Sequence, residues 1–143
     1  MISYTCKTAI KASVFLATKL DQGSRSGLKE IADYIDASEH TVGKMLQLLV
    51  KQDIIKSLKG PTGGFYITRE QTLQPLIKIV EAIDGDTVFR ECGLGLSRCS
   101  SLHPCPIHDE YKKSRDILEG IYKTRTIADL CEPVNKGKAY LYG

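Results

Sequence analysis

The stretch Leu28-Lys-Glu-Ile-Ala-Asp-Tyr-Ile-Asp-Ala-Ser-Glu-His-Thr-Val-Gly-Lys-Met-Leu-Gln-Leu-Leu-Val-Lys51 decides the fold. Leu28, Ile31, Ala32 and Ile35 fall at i, i+3, i+4 and i+7, the spacing of one helical face. Ser26 is the expected N-cap of that helix. Asp36-Ala37 is a tight break, after which Ser38 caps a second helix with Glu39 in its first turn, where the helix dipole favours an anion. The second helix buries Val42, Met45, Leu46, Leu49 and Val50, and shows His40, Thr41, Lys44, Gln47 and Lys51 on its other face. Two short helices joined by a tight turn make a helix-turn-helix, whose second member would read the major groove of DNA. Any small helical domain can contain such a pair, so the neighbouring elements matter.

Downstream, Ile54-Ile-Lys-Ser-Leu58 and Phe65-Tyr-Ile-Thr68 flank Lys59-Gly-Pro-Thr-Gly-Gly64. Two β-rich runs around a Gly/Pro turn predict a hairpin. Placed after a helix-turn-helix, it reads as a wing, its tip offering Lys59 and the bare backbone of Gly60 and Gly63 to DNA. A phosphate-binding loop is excluded, because no Gly-Lys-Ser/Thr ending follows. The expected DNA-contacting set is Ser38, His40, Thr41, Lys44, Lys59, Gly60 and Gly63.

Upstream, Thr5 to Leu20 predicts a helix that is apolar over most of its circumference and so buried on more than one side. Beyond the wing, Leu73, Leu76, Ile77, Val80 and Ile83 predict a fourth helix, with Pro75 in its first turn and Gly85 as its stop. A longer helix from Ile107 to about Thr124 carries a stripe of Ile107, Tyr111, Leu118 and Ile121, widened by Ile117 and Tyr122. In so small a protein this stripe is expected to meet a second subunit. The division is thus a DNA-binding domain over 1–84, a cysteine loop over 85–106, a dimerisation helix and following segment over 107–131, and a mobile tail over 132–143. The fold class is mostly α with a small β-hairpin wing.

Residues 1–70 hold ten Lys/Arg against seven Asp/Glu, whereas 71–143 hold ten of each, so the whole +3 excess lies on the half expected to meet a polyanion. No apolar run reaches the ~18 residues of a membrane helix, and Lys7 and Lys11 interrupt any signal-like start, so a cytoplasmic protein with no membrane partner is expected. Five cysteines, three of them clustered, favour metal or redox chemistry over a disulfide framework in a reducing compartment.

Those three are Cys92, Cys99 and Cys105, separated by six and five residues, with His108 three positions after the last. The intervening Gly, Ser and Pro supply no apolar burial, which argues against buried small hydrophobes here, although Cys131 and Cys6 fit that description. Structural zinc prefers shorter cysteine gaps, about two to four residues, so an iron–sulfur cluster is the favoured ligand over zinc, with a disulfide switch third. His108 is the candidate fourth ligand, with simple exposure at a helix start as the other reading; His103, next to Pro104, is its rival. No base–nucleophile pair stands near the cysteines, so an enzyme is not expected.

With these parts in place, the chain resembles the Rrf-two family of bacterial winged-helix regulators along nearly its whole length. The resemblance is carried by Tyr4-Thr-Cys-Lys-Thr-Ala-Ile-Lys-Ala12, Leu28-Lys-Glu-Ile-Ala32, Lys59-Gly-Pro-Thr-Gly-Gly-Phe-Tyr66, Ile79-Val-Glu-Ala-Ile-Asp84 and Thr126-Ile-Ala-Asp-Leu130. The three-cysteine loop is similar to that of the cluster-binding members, the iron–sulfur biogenesis regulator and the nitric-oxide-sensing repressor. The resemblance implies a homodimer on a pseudo-palindromic double-stranded operator. It also implies a cluster, 2Fe–2S favoured over 4Fe–4S, on Cys92, Cys99, Cys105 and His108. The sensor's alternative fourth ligand, an acidic residue of the partner's first helix, falls here on Thr8, with Cys6 as a nearby substitute. A selectivity glutamate of the recognition helix falls on Gly43. The implied function is a transcriptional regulator controlled by a cluster that senses iron–sulfur status, oxidants or nitric oxide. A cluster-free regulator answering thiol oxidation or a small metabolite is the alternative.

Overall fold

The computed structural model describes residues 1–143. Helix α1 (Tyr4–Thr18) runs through the centre and packs against α2 (Leu28–Ile35), α3 (Glu39–Lys51), α5 (Ile77–Asp84) and α7 (Ile127–Asn135). Its small residues Ala9, Ala12, Ser13 and Ala17 are buried and allow this close approach on several sides. The buried hydroxyls of Thr8 and Ser13 donate to the carbonyls of Tyr4 and Ala9, each at 2.9 Å, so burial leaves neither unpaired. Inside the helix-turn-helix, Ile31, Ile35, Val42, Met45, Leu46 and Leu49 are almost wholly buried.

Strands β1 (Lys56–Leu58) and β2 (Gly64–Tyr66) pair antiparallel, Lys56 facing Tyr66 and Leu58 facing Gly64. The hairpin is shorter than expected because Ile54, Ile55 and Ile67 enter the core, while Thr68 caps α4 (Arg69–Thr72) with a capping box. Ser26 does not cap α2. Gly27 holds that position, and Ser26 instead exchanges backbone hydrogen bonds with Phe65 at 2.9 and 2.8 Å, welding the loop before α2 to the wing.

The expected fourth helix is two pieces. Leu73 is exposed between them, and Pro75 pairs with Thr126 in an isolated bridge, so helix α5 begins only at Ile77. Gly85, at φ 83°, ends it as expected. Helix α6 (His108–Thr124) follows the cysteine loop. Its expected stripe divides: Leu118 and Tyr122 pack inward on a small second core of Ile2, Cys6, Val80, Val88 and Phe89, while Ile117 and Ile121 stay exposed. The segment expected as a mobile tail also differs. Helix α7 continues to Asn135, and the chain folds back so that Leu141 reaches the core and Tyr142 meets the edge of Tyr34 at 5.7 Å. Apolar side chains near the C-terminus explain the return.

Candidate nucleic-acid interface and metal centre

Ser38 caps α3 by accepting from the Thr41 N–H at 3.2 Å, and the two hydroxyls lie 2.9 Å apart. His40, Lys44, Gln47 and Lys51 are exposed along the same helix, and Thr41 is half-buried. Gly43 lies against Leu28, where an added Cβ would stand 3.5 Å from that side chain. At the wing, Lys59 and Gly60 are exposed. Gly63 has a different task. An added Cβ would fall 1.9 Å from the Leu58 carbonyl oxygen, and the Gly63 N–H is already given to Gly60 at 3.0 Å. Its glycine character therefore closes the turn rather than offering a free donor.

The cysteine loop begins where α5 ends. Val88 and Phe89 anchor it in the second core, and Arg115 of α6 donates to the Glu91 carbonyl at 2.7 Å. Gly93 passes so close to Tyr111 that an added Cβ would lie 2.6 Å from its ring. Cys92 and Cys105 are buried neighbours whose thiols perturb each other's titration. Cys99 is half-buried, its Sγ 3.4 Å from Nδ1 of His108, which sits buried at the start of α6. His103 is exposed. The four expected ligands thus lie as two neighbouring pairs, Cys92 by Cys105 and Cys99 by His108. No group of three or more His, Cys, Asp or Glu side chains takes up the spacing of a single metal ion.

Backbone N–H groups of Leu94 and Leu96, with the Cys105 thiol, hold the Cys92 thiol below its ordinary range. At Cys105 the Ile107 N–H acts the same way, but burial and the neighbouring Cys92 and Cys99 carry the net shift upward. An open depression of about 770 Å³ is lined by Cys92 and Cys99 with Arg90, Arg98 and three serines. Three sulfurs, one imidazole, N–H donors aimed at sulfur and nearby guanidinium charge suit an anionic thiolate-held cluster.

Cys6 and Thr8 do not belong to this site. Both are fully buried within the chain, and burial pushes the Cys6 thiol up to about 12. Cys131 is a buried small hydrophobe whose sulfur accepts from Asn135 at 3.3 Å. Sequence reasoning missed the links that tie the loop to the rest of the molecule. Asp84 accepts the N–H of Ser3 at 2.7 Å and also its hydroxyl, joining the root of the loop to the cap of α1 across 81 residues. Only the motif containing Asp84 was visible beforehand.

A helix-turn-helix with a two-stranded wing and an exposed polar face on its second helix defines a winged-helix protein of the DNA-binding regulator class. The family model described as Rrf2, iron-dependent transcriptional regulator, matches residues 2–133, and the chain belongs to that family of DNA-binding transcriptional regulators. A protein of Aquifex aeolicus assigned to the HTH-type transcriptional regulators is 26% identical over 132 residues, 91% of this chain and 90% of its own. The HTH-type transcriptional regulator NsrR of Oceanobacillus iheyensis is 22% identical, covering 85% and 83%. Among solved structures, CymR, the global cysteine regulator of B. subtilis, superposes with TM-score 0.74 at 20% identity, over 92% of this chain and 96% of its own. IscR of T. potens gives 0.71 at 19%, over 97% and 91%. These likenesses agree with the winged-helix fold. No helix is long and apolar enough to cross a membrane.

Proposed function

We propose that this regulator acts as a homodimer whose binding to a pseudo-palindromic operator is set by an iron–sulfur cluster on Cys92, Cys99, Cys105 and His108. The observation that carries the reading is the pairing of all four side chains on one loop at the head of α6, Cys92 with Cys105 and Cys99 with His108. When bound, the cluster supplies an iron- and oxidant-sensitive link among these ligands, 2Fe–2S being favoured by the mixed sulfur and imidazole set.

The chain's own residues connect that loop to DNA. Arg115 and Tyr111 fix the loop on α6, and Asp84 fixes its root on α1, which supports α2 and α3. A change in loop order therefore acts on the base of the recognition helix. Such coupling is reciprocal, so DNA would alter cluster retention by the same factor. Ile117 and Ile121, exposed on α6, form the surface for a second copy. The dimer would present Ser38, His40, Thr41 and Lys44 to half-sites about one helical turn apart, with Lys59 and Gly60 beside them.

The test is affinity for DNA fragments selected from the source genome, measured with cluster-loaded and cluster-stripped protein. A several-fold difference is expected, and equal affinities would contradict control by the cluster. A second reading, favoured by the closeness of the Cys92 and Cys105 thiols, has no cluster: a peroxide takes two electrons and two protons from the pair, leaving a disulfide and water or alcohol. It predicts a redox-dependent affinity in iron-free protein.

A further inference from the structure

We propose that Arg25 is a DNA-contacting residue held against the wing turn, where it grips a backbone phosphate from the same turn that carries Lys59. The inference rests on the reading of the wing as a DNA-facing element. Arg25 lies in the loop before α2, outside both the recognition helix and the hairpin. Two observations place its side chain at the wing. The next residue, Ser26, pairs with Phe65 through two backbone hydrogen bonds in an isolated antiparallel bridge. Arg25 Nε then donates to the carbonyl of Thr62, at the turn of the hairpin, at 3.2 Å.

Close packing confirms that the two segments touch. A Cβ added to Gly64 would lie 2.9 Å from the Ser26 carbonyl oxygen and 3.3 Å from the Arg25 Cβ. Gly64, at φ 144°, thus allows the loop to lie flat on β2.

The bond to Thr62 uses only Nε. Arg25 is exposed, and neither it nor Lys59 has a carboxylate partner. The remaining N–H groups of the guanidinium, in a planar fork that suits phosphate oxygens, are left for a ligand. Holding the head through Nε also reduces the side-chain freedom that would be lost on binding. The wing therefore carries two cations, one from its own turn and one from a loop 37 residues upstream of Thr62. Phosphate contacts position a protein on the duplex and carry no base preference.

The experiment measures affinity for a labelled mixed-sequence duplex as salt rises from about 50 to 200 mM. Wild type, Arg25→Ala, Arg25→Gln, Arg25→Lys and Lys59→Ala are compared, with melting temperatures recorded for each. Neutralising one phosphate-binding cation lowers the slope of log K against log salt by about 0.9. That drop is expected for Arg25→Ala and Arg25→Gln, and for Lys59→Ala, while Arg25→Lys keeps the parental slope. If Lys59→Ala loses slope and the two neutral Arg25 variants keep it, Arg25 only ties the wing to its loop and the proposal is overturned. If none of the variants changes slope, the wing does not face DNA and the underlying reading fails as well. Arg25→Gln retains a donor for Thr62, so a fold defect confined to Arg25→Ala leaves the comparison decisive.

Discussion

Individual side chains show how environment separates cysteines that look alike in sequence. Cys6 is packed among Ile2, Val80, Val88 and Phe89, and burial raises its thiol to about 12, so native protein at pH 8 holds it neutral and inaccessible. Iodoacetamide should label half-buried Cys99 of iron-free protein first and leave Cys6 unmodified until denaturant is added, read by peptide mass spectrometry. Rapid native labelling of Cys6 would contradict the packing. The loop cysteines were legible as a group from their spacing in a Gly-, Ser- and Pro-rich segment, but the expectation that such a segment buries none of them fails for Cys92 and Cys105, each only 8% exposed. Which of them pair was not legible, since Cys92 and Cys105 meet only after the loop turns on Gly93 and Gly95. Arg25 was not singled out for a related reason: nothing in its local sequence shows that Thr62 lies beside it.

At the scale of elements, periodic apolar spacing located α2 and α3 to within a residue, because both bury one continuous face. It failed where a pattern crossed an irregular join. Leu73 fits the period of α5 yet lies outside it, because Pro75 takes part in a bridge to Thr126 instead of a helical turn. Thr126 also caps α7 in a box with Asp129, whose carboxyl is held below its usual range by the Thr126 N–H and hydroxyl. A depressed carboxyl pKa contributes stability above the ordinary carboxylate range, and that contribution is lost as pH falls through the folded value. Asp129→Ala should therefore lower the melting temperature at neutral pH, and the gap from wild type should narrow toward acid. A gap independent of pH would show that Asp129 plays no part in the cap.

For the whole molecule, the decisive feature is that the cysteine loop is not an appendage. Its root is clamped to α1 through Asp84 and Ser3, and its middle to α6 through Arg115. Asp84→Ala leaves the Ser3 N–H and hydroxyl without their acceptor, a loss of about 1–2 kcal/mol, visible as a lower denaturation midpoint. The same variant should reduce the difference in DNA affinity between cluster-loaded and stripped protein. An unchanged difference would remove this clamp from the coupling route. Sequence could not reveal such a link, because its two ends lie 81 residues apart and neither residue is unusual where it stands. The return of the C-terminal chain onto Tyr34 was hidden for the same reason.

The most direct test of the central claim uses protein purified without oxygen. Its visible absorption spectrum is recorded, and iron and acid-labile sulfide are assayed on the same sample, beside the Cys92→Ala, Cys99→Ala, Cys105→Ala triple variant. Broad visible bands with stoichiometric iron and sulfide in the parent, and none in the triple variant, are the predicted result. A colourless parent that gains no sulfide on reconstitution, or a triple variant that keeps the colour, would contradict the cluster assignment.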